Sequence, residues 1–194
     1  TYFATMGCRT ANGYDINGLG QQKDGRGNIC PVTIIMPTLA MMAKEYWENN
    51  PSGDDSPLPG FIHLLAQKID EAKDMLIERF DYICSQDASS AKFMYENGVM
   101  AGYVPEEGIR SALKHGTLAI GQLGLAETLQ ILIGEDHTSE FGMKFAKRIE
   151  RLFRNKCMEF KEKYKLNFGV YYTPKLLGGM VVTLCTNSLL NGQA

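Results

Sequence analysis

Three short apolar segments, separated by long stretches of helical periodicity, constrain the fold of this sequence more than any other feature. The segments are Val-Thr-Ile-Ile-Met at 32–36, an apolar centre within 115–124, and Asn-Phe-Gly-Val-Tyr-Tyr-Thr at 167–173. Apolar residues recurring at helical spacing predict helices between them. These helices span 39–48, 61–84, 125–133 and 139–165. Strands that alternate with helices in this order are typical of an α/β fold with a parallel sheet.

Residues that start or stop helices set the expected boundaries. Thr38 can cap the first long helix, and Ser139 can cap the last one. Gly134 is expected to end the helix at 125–133, because helices commonly terminate at a glycine in the left-handed conformation. Pro105, which two glutamates follow, predicts a further helix start.

Residues 1–28 are rich in turn signals and show no sustained periodicity, which predicts a loop. Asn-Gly pairs at 12–13 and 17–18 suit two-residue turns and are compatible with a small hairpin. Cys8 lies in this loop, between a glycine and Arg9. Arg9 can lower the pKa of the Cys8 thiol and make it a nucleophile, whereas a small buried structural cysteine is the commoner alternative.

The block Gly-Arg-Gly-Asn at 25–28 directly precedes a predicted strand. It is therefore not a phosphate-binding loop of the dinucleotide or P-loop type, which needs a helix immediately after the glycines. Two readings remain, a tight turn or a turn whose Asn28 amide meets a polar ligand. His115 is expected to cap or pack, since a lone histidine is poor evidence for a ligand.

Composition and charge exclude several classes of function. A net charge of -2 gives no basic footprint for nucleic acid. The longest apolar run, 176–190, is too short and too polar to span a membrane. The five cysteines form no C-x-x-C pair, and neither they nor the three histidines show metal-ligand spacing. Free thiols in a cytoplasmic protein are expected.

Several of these motifs occur together, in order and at suitable spacing. The blocks are Met6-Gly7-Cys8-Arg9-Thr10; Gly25-Arg26-Gly27-Asn28 leading into Thr33-Ile34-Ile35-Met36-Pro37; His115 to Gly121 with Gly124-Leu125-Ala126-Glu127; and Asn167-Phe168 with Tyr172-Thr173-Pro174. In combination the sequence resembles the anaerobic (class III) ribonucleoside-triphosphate reductases, the glycyl-radical branch of the ribonucleotide reductases. The resemblance covers residues 1 to about 174.

The resemblance implies part of a ten-stranded α/β barrel, with about three parallel strands, long helices and a finger loop at 1–28. Cys8 would be the radical cysteine, so its thiol should be shielded and protonated rather than an exposed thiolate. Asn28 would lie near the substrate ribose as a second catalytic residue. Arg9 and the turn Tyr172-Thr173-Pro174 would bind substrate, the turn by holding its phosphates through free N–H groups.

The resemblance also implies partners and cofactors outside this sequence. The substrate would be a ribonucleoside triphosphate, and the fragment itself would bind no cofactor. A glycyl radical would be installed by an activating enzyme that uses S-adenosylmethionine and an iron–sulfur cluster. Formate or a thiol system would be the reductant, and zinc would lie outside this segment. The remainder of the chain and a second subunit of a homodimer are further expected partners, and no nucleic acid or membrane is expected.

Residues 175–194 depart from the family pattern, because Lys175-Leu176-Leu177 stands where Ala-Glu usually follows Thr-Pro. The expected organisation is thus a partial catalytic barrel domain at 1–174 and an unmatched tail at 175–194. The start at Thr1 and the small number of strands predict a piece of a larger protein. Half a barrel cannot enclose the dry cavity that radical chemistry needs, so the piece alone is expected to be inactive.

Two alternatives stay open. Enzymes of the pyruvate formate-lyase group also carry a loop cysteine in a similar barrel, although the Gly-Arg-Gly-Asn block and the Thr-Pro turn favour the reductase. A non-catalytic remnant that binds a nucleotide or a partner through an exposed barrel edge is the alternative from a different class.

Overall fold

The computed structural model describes residues 4–5, 11–50 and 56–172. The helices and strands in these ranges are, in chain order, β1 (Ala4–Thr5), β2 (Ala11–Asn12), β3 (Asn28–Ile35), α1 (Met36–Asn49), α2 (Leu58–Cys84), α3 (Lys92–Glu96), α4 (Arg110–Leu113), β4 (Thr117–Leu123), α5 (Leu125–Ile133), α6 (Glu140–Tyr164) and β5 (Asn167–Tyr172). Short 3-10 helices cover Ala88–Ala91 and Pro105–Glu107.

The predicted α/β class is confirmed, with three parallel strands and long helices. The sheet order is β3-β4-β5, which places β4 in the centre. Every residue of β4 is buried, whereas β3 alternates between buried and partly exposed positions. A central parallel strand is covered on both faces, which explains why the centre of β4, residues 118–121, is apolar. Among the described residues, no helix is long and apolar enough to cross a membrane.

Several local predictions are confirmed. Helix α5 ends at Gly134, whose φ of +74° is left-handed and whose N–H bonds to Gln130 O. Ser139 caps α6, because its Oγ accepts a hydrogen bond from the N–H of Gly142 at 2.9 Å. The segment before β3 does contain a small antiparallel pair, with Thr5 opposite Ala11, but its strands are separated by residues 6–10 and not by an Asn-Gly pair. An isolated antiparallel bridge between Asp15 and Gly20 flanks the Asn-Gly pair at 17–18.

Other local predictions are wrong. Thr38 does not cap α1, because the helix already begins at Met36 and Thr38 lies inside it. Pro37 accounts for the early start, since proline fits the first turn of a helix and has no N–H to leave unpaired. Strand β3 begins at Asn28, four residues before the predicted start. Pro105 opens only a three-residue 3-10 helix, which ends at Gly108.

Two compact units divide the described chain. The first comprises the described residues up to Val32 together with Glu71–Gly121 and Asn155–Tyr171. Its core is made of large apolar side chains from α2, β4, β5 and α6 and from the residue that precedes α4. They include Leu76, Phe80, Ile109, Leu118, Ile120, Phe160 and Phe168. The rings of Phe160 and Phe168 meet edge to face, with centroids 5.4 Å apart.

The second unit comprises Thr33–Asp70, Gln122–Arg154 and Tyr172. Helix α1 packs against α5. The ring centroids of Phe61 in α2 and Phe145 in α6 lie 6.3 Å apart. Gly124, with φ +81°, lies so close to Pro37 that a Cβ there would be 2.4 Å from the proline ring. The close approach that the glycines around β4 suggest is therefore real at this position.

Candidate functional site

Six residues are predicted to form the site, and the side chain of Asn28 alone falls among those that the structure describes. Asn28 is the first residue of β3 and is partly buried. Tyr172 ends β5, and nothing beyond its backbone is described. Cys8, Arg9, Thr173 and Pro174 lie outside the described residues. The structure therefore shows the surroundings of Asn28, and the grouping of the six residues stays a prediction.

A tight turn delivers the chain to Asn28. Gly25 has φ +73°, a left-handed conformation that glycine adopts readily. Its carbonyl accepts a hydrogen bond from the N–H of Ala101 at 2.9 Å, and an added Cβ would lie 2.7 Å from that nitrogen. Two residues later, Gly27 O accepts a hydrogen bond from the N–H of Thr117 at 2.8 Å, which aligns the entry to β3 with the start of β4.

Gly25→Ala is expected to lower the free energy of unfolding by about 2 kcal/mol, because a left-handed Cβ costs about 1–2 kcal/mol and the contact with Ala101 adds to it. Urea unfolding measures this loss. Gly27→Ala is the matched control, since an added Cβ at Gly27 meets nothing within 4 Å. Equal losses in the two variants would contradict the explanation.

Arg26 is a buried cross-link rather than a surface cation, with 3% of the residue exposed. Its Nε donates to His115 O at 2.7 Å, and its Nη1 donates to Gly13 O at 3.0 Å and to Gln22 O at 2.7 Å. Burial lowers the pKa of Arg26 while nearby Asp15 raises it, and a guanidinium with so high a pKa stays charged. Arg26 thus joins the segment before Asn28 to the residues before β4.

Asp15 is the centre of a buried polar cluster that also contains His115 and Asn167. Asp15 is 1% exposed, and its carboxylate accepts four hydrogen bonds. Two come from the backbone N–H groups of Asn17 and Leu19, at 3.1 and 2.8 Å. The others come from His115 Nδ1 at 2.8 Å and Asn167 Nδ2 at 2.6 Å. Because an ionised carboxylate only accepts, Nδ1 of His115 carries the proton of this pair.

The side-chain amide of Asn167 also forms hydrogen bonds to the backbone of residues next to Asp15 and next to His115. Asn167 Oδ1 accepts a hydrogen bond from the N–H of Ile16 at 3.1 Å, and Asn167 Nδ2 also lies 3.2 Å from Lys114 O. His115 packs against Gly102, where a Cβ would be 2.5 Å from Nε2. The expectation that His115 packs is confirmed, but the sequence did not predict its hydrogen bond to the Asp15 carboxylate. Sequence reasoning missed Asp15, although an aspartate two residues before Asn-Gly is a common turn signal.

Hydrogen bonding and burial act in opposite directions on the pKa of Asp15. Burial by itself would raise this pKa, but the hydrogen bonds from Asn167, His115 and the N–H groups of Leu19 and Asn17 outweigh it. The pKa of Asp15 in the folded protein therefore lies below its usual value of 3.8.

The lowered pKa of Asp15 predicts acid-dependent stability. The unfolded state takes up the proton first as the pH falls, so the contribution is fully present well above pH 3.8 and is lost below it. Wild-type protein should therefore lose more unfolding free energy than Asp15→Asn between pH 6 and pH 3. Denaturant unfolding across this pH range gives the difference. Asp24→Asn, at an exposed position, should keep the wild-type profile, and parallel profiles for wild type and D15N would contradict the prediction.

The cysteines that the structure describes are free thiols with raised pKa values. Burial raises the pKa of Cys30, that of Cys84 to about 11 and that of Cys157 to about 12. At neutral pH these three thiols are protonated and are not nucleophilic. Within the described ranges, no group of three or more His, Cys, Asp or Glu side chains is arranged to hold a metal ion.

Comparison with known proteins finds one family over nearly the whole chain. The family model for anaerobic ribonucleoside-triphosphate reductase matches residues 1–175. The reductase of that name from Escherichia coli (strain K12) is 28% identical over an alignment 176 residues long, and the alignment covers 87% of this chain and 23% of the relative. The corresponding protein from Salmonella typhimurium has the same identity and coverage. The chain thus spans about a quarter of the length of the curated relatives that it matches.

Solved structures of similar fold come from the same class of protein. The anaerobic ribonucleotide reductase from Thermotoga maritima with glycerol in the active site aligns with a TM-score of 0.58 and 18% identity, over 79% of this chain and 23% of that one. The structure of that enzyme in complex with dATP and CTP aligns with a TM-score of 0.56 and 15% identity, over 84% of this chain and 24% of that one. At these identities the likeness shows the fold.

Proposed function

Because the chain belongs to the anaerobic ribonucleoside-triphosphate reductase family, we propose that it forms the central part of the catalytic domain of such an enzyme. The reaction replaces the 2′-hydroxyl of a ribonucleoside triphosphate by hydrogen. The C2′–O bond breaks, the oxygen leaves as water, and formate or a pair of thiols supplies two electrons. The observation that carries this proposal is the continuous match over residues 1–175, which includes both Cys8 and Asn28.

The proposed roles follow the resemblance residue by residue. Cys8 forms the thiyl radical that removes the 3′-hydrogen of the ribose and later returns it. Asn28 offers its side-chain amide to the ribose hydroxyls from the start of β3. Arg9 and the turn after β5, Tyr172-Thr173-Pro174, bind the triphosphate. A strand-end turn with free N–H groups is physically suited to phosphate oxygens.

The proposal requires groups that this chain does not supply. A glycyl radical on another segment generates the Cys8 radical, and an activating enzyme with S-adenosylmethionine and an iron–sulfur cluster installs it. The remaining strands of the ten-stranded barrel close the cavity, and zinc is bound elsewhere. A homodimer and a cytoplasmic location belong to the same proposal. Nucleotide binding is supported by the related structures with dATP in the specificity site and with dATP and CTP.

The family match favours the reductase over the pyruvate formate-lyase group, since the matched family is defined by the reductase. A non-catalytic remnant would keep a buried cluster such as the one around Asp15, because that cluster stabilises the fold whether or not the protein reacts. Turnover is the property that distinguishes an enzyme from a remnant, because the fold and the cluster are common to both.

The test is an anaerobic assay of the complete protein, expressed from its full reading frame with its activating enzyme. We expect deoxyribonucleoside triphosphate to form from ribonucleoside triphosphate, with formate or a dithiol as reductant, and only after activation. The 194-residue chain alone should give no product, because it cannot enclose the radical. A radical-bearing protein that binds nucleotide without reducing it would contradict the proposal, as would cleavage of pyruvate in its place.

A further inference from the structure

Thr117, the first residue of β4, connects two chain segments that are far apart in sequence. Its backbone N–H donates to Gly27 O at 2.8 Å, one residue before Asn28. Its Oγ1 donates to Asn12 Oδ1 at 3.2 Å, four residues after Cys8. One residue at the start of the central strand therefore contacts Gly27, which adjoins Asn28, and Asn12, which follows Cys8 by four residues.

The hydrogen bond between the side chains of Thr117 and Asn12 is buried. Thr117 is 6% exposed and Asn12 is fully buried, so water does not compete for the hydrogen bond. Asn12 is further held by its Nδ2, which donates to Arg26 O at 3.3 Å, and by Lys23 Nζ, which donates to its backbone carbonyl. The methyl group of Thr117 packs on Gly169 of β5, where a Cβ would lie 3.3 Å from Cγ2.

Asn12 lies close in sequence to Cys8, so its hydrogen bond to Thr117 bears on the proposed reaction. Asn12 ends β2, which pairs antiparallel with β1, and Cys8 lies in the chain between these two strands. Anchoring Asn12 therefore anchors the base of the chain segment that contains Cys8. The same residue aligns the entry to β3, where Asn28 stands.

We propose that Thr117 is a positioning residue for this reaction, because its hydroxyl holds Asn12, four residues after Cys8, and its N–H holds Gly27, one residue before Asn28. This inference rests on the proposed function, since it assigns Thr117 a task in that reaction. A displacement of about 1 Å between reacting groups can reduce a rate by about 100-fold. The triphosphate is assigned to other residues, so loss of the hydroxyl should reduce kcat and leave KM nearly unchanged.

Two substitutions separate the hydroxyl from the methyl group. Thr117→Val keeps the shape and the contact with Gly169 but removes Oγ1, whereas Thr117→Ser keeps Oγ1 and removes the methyl group. In the complete activated protein we expect T117V to lower kcat about tenfold, with KM within about twofold and the glycyl-radical electron paramagnetic resonance signal unchanged. T117S should keep kcat within about twofold. Amide exchange of a peptide covering 11–13 should be faster in T117V than in T117S.

Three results would overturn the inference about Thr117. Equal kcat in T117V and T117S, or a rise of KM in T117V that accounts for the whole effect, would overturn the inference. Unchanged exchange at 11–13 in T117V would show that the hydroxyl does not anchor this segment and would overturn it as well. Absence of turnover in wild-type protein counts against the proposed function instead. If T117V does not fold by circular dichroism, T117A replaces it in the same comparison with T117S.

Discussion

Replacing Asp15 by alanine is expected to lower the free energy of unfolding by at least about 3 kcal/mol, the largest stability loss predicted for this protein. The carboxylate is 1% exposed and accepts hydrogen bonds from two backbone N–H groups and two side chains. Alanine leaves the two backbone N–H groups and His115 Nδ1 without this acceptor, whereas Asn167 Nδ2 keeps Lys114 O at 3.2 Å. Each donor left unpaired costs about 1–3 kcal/mol. Solvent that enters the vacated space recovers part of this loss, so the sum of the three costs is an upper bound.

Equilibrium unfolding in urea measures this effect, and the exposed Asp24 gives a control in the same segment. Asp24→Ala should change the free energy of unfolding by less than about 0.5 kcal/mol, as is usual for surface positions. A loss below about 1 kcal/mol in D15A would show that the cluster does not hold residues 12–28 to the starts of β4 and β5.

Cys8→Ser is expected to reduce turnover of the complete, activated protein by at least about 10³-fold. Removal of a side chain that reacts directly with the substrate commonly lowers kcat by this much or more. Serine keeps the size and polarity of the side chain, but its O–H bond is stronger than the S–H bond of cysteine. A glycyl radical therefore cannot remove the hydrogen atom from a serine at position 8, and no radical forms there to act on the ribose. Nucleotide binding should be nearly unchanged, because the triphosphate is assigned to other residues.

Anaerobic turnover assays and a nucleotide-binding titration check this prediction together. Cys84→Ser makes the same chemical change at a partly buried thiol whose pKa is about 11, and it should leave turnover within about twofold. Activity in C8S close to wild type would remove Cys8 from the proposed mechanism. Loss of nucleotide binding in C8S would show that the substitution acts through the structure and not through the chemistry.

Local sequence patterns were sufficient for much of the fold. The buried strand at β4, the bounds of α5 and the serine cap of α6 follow from residues within one or two turns of each other. Thr38 shows where such patterns are insufficient. Thr38 is a good cap by residue type, yet Pro37 already fits the first turn of the helix that begins at Met36. Two local signals competed there, and the sequence did not indicate which would prevail.

The sequence by itself determined the α/β order and the Gly-Arg-Gly-Asn turn, because each depends on neighbouring residues. The roles of Cys8 and Asn28 stay predictions from the resemblance. The tertiary structure alone decided that Asp15 meets His115 across 100 residues and Asn167 across 152 residues. It also decided that Thr117 bonds both to Gly27, one residue before Asn28, and to Asn12, four residues after Cys8. Polar side chains carry no periodic signal of their burial, and their partners are chosen only when the strands that bear them are aligned.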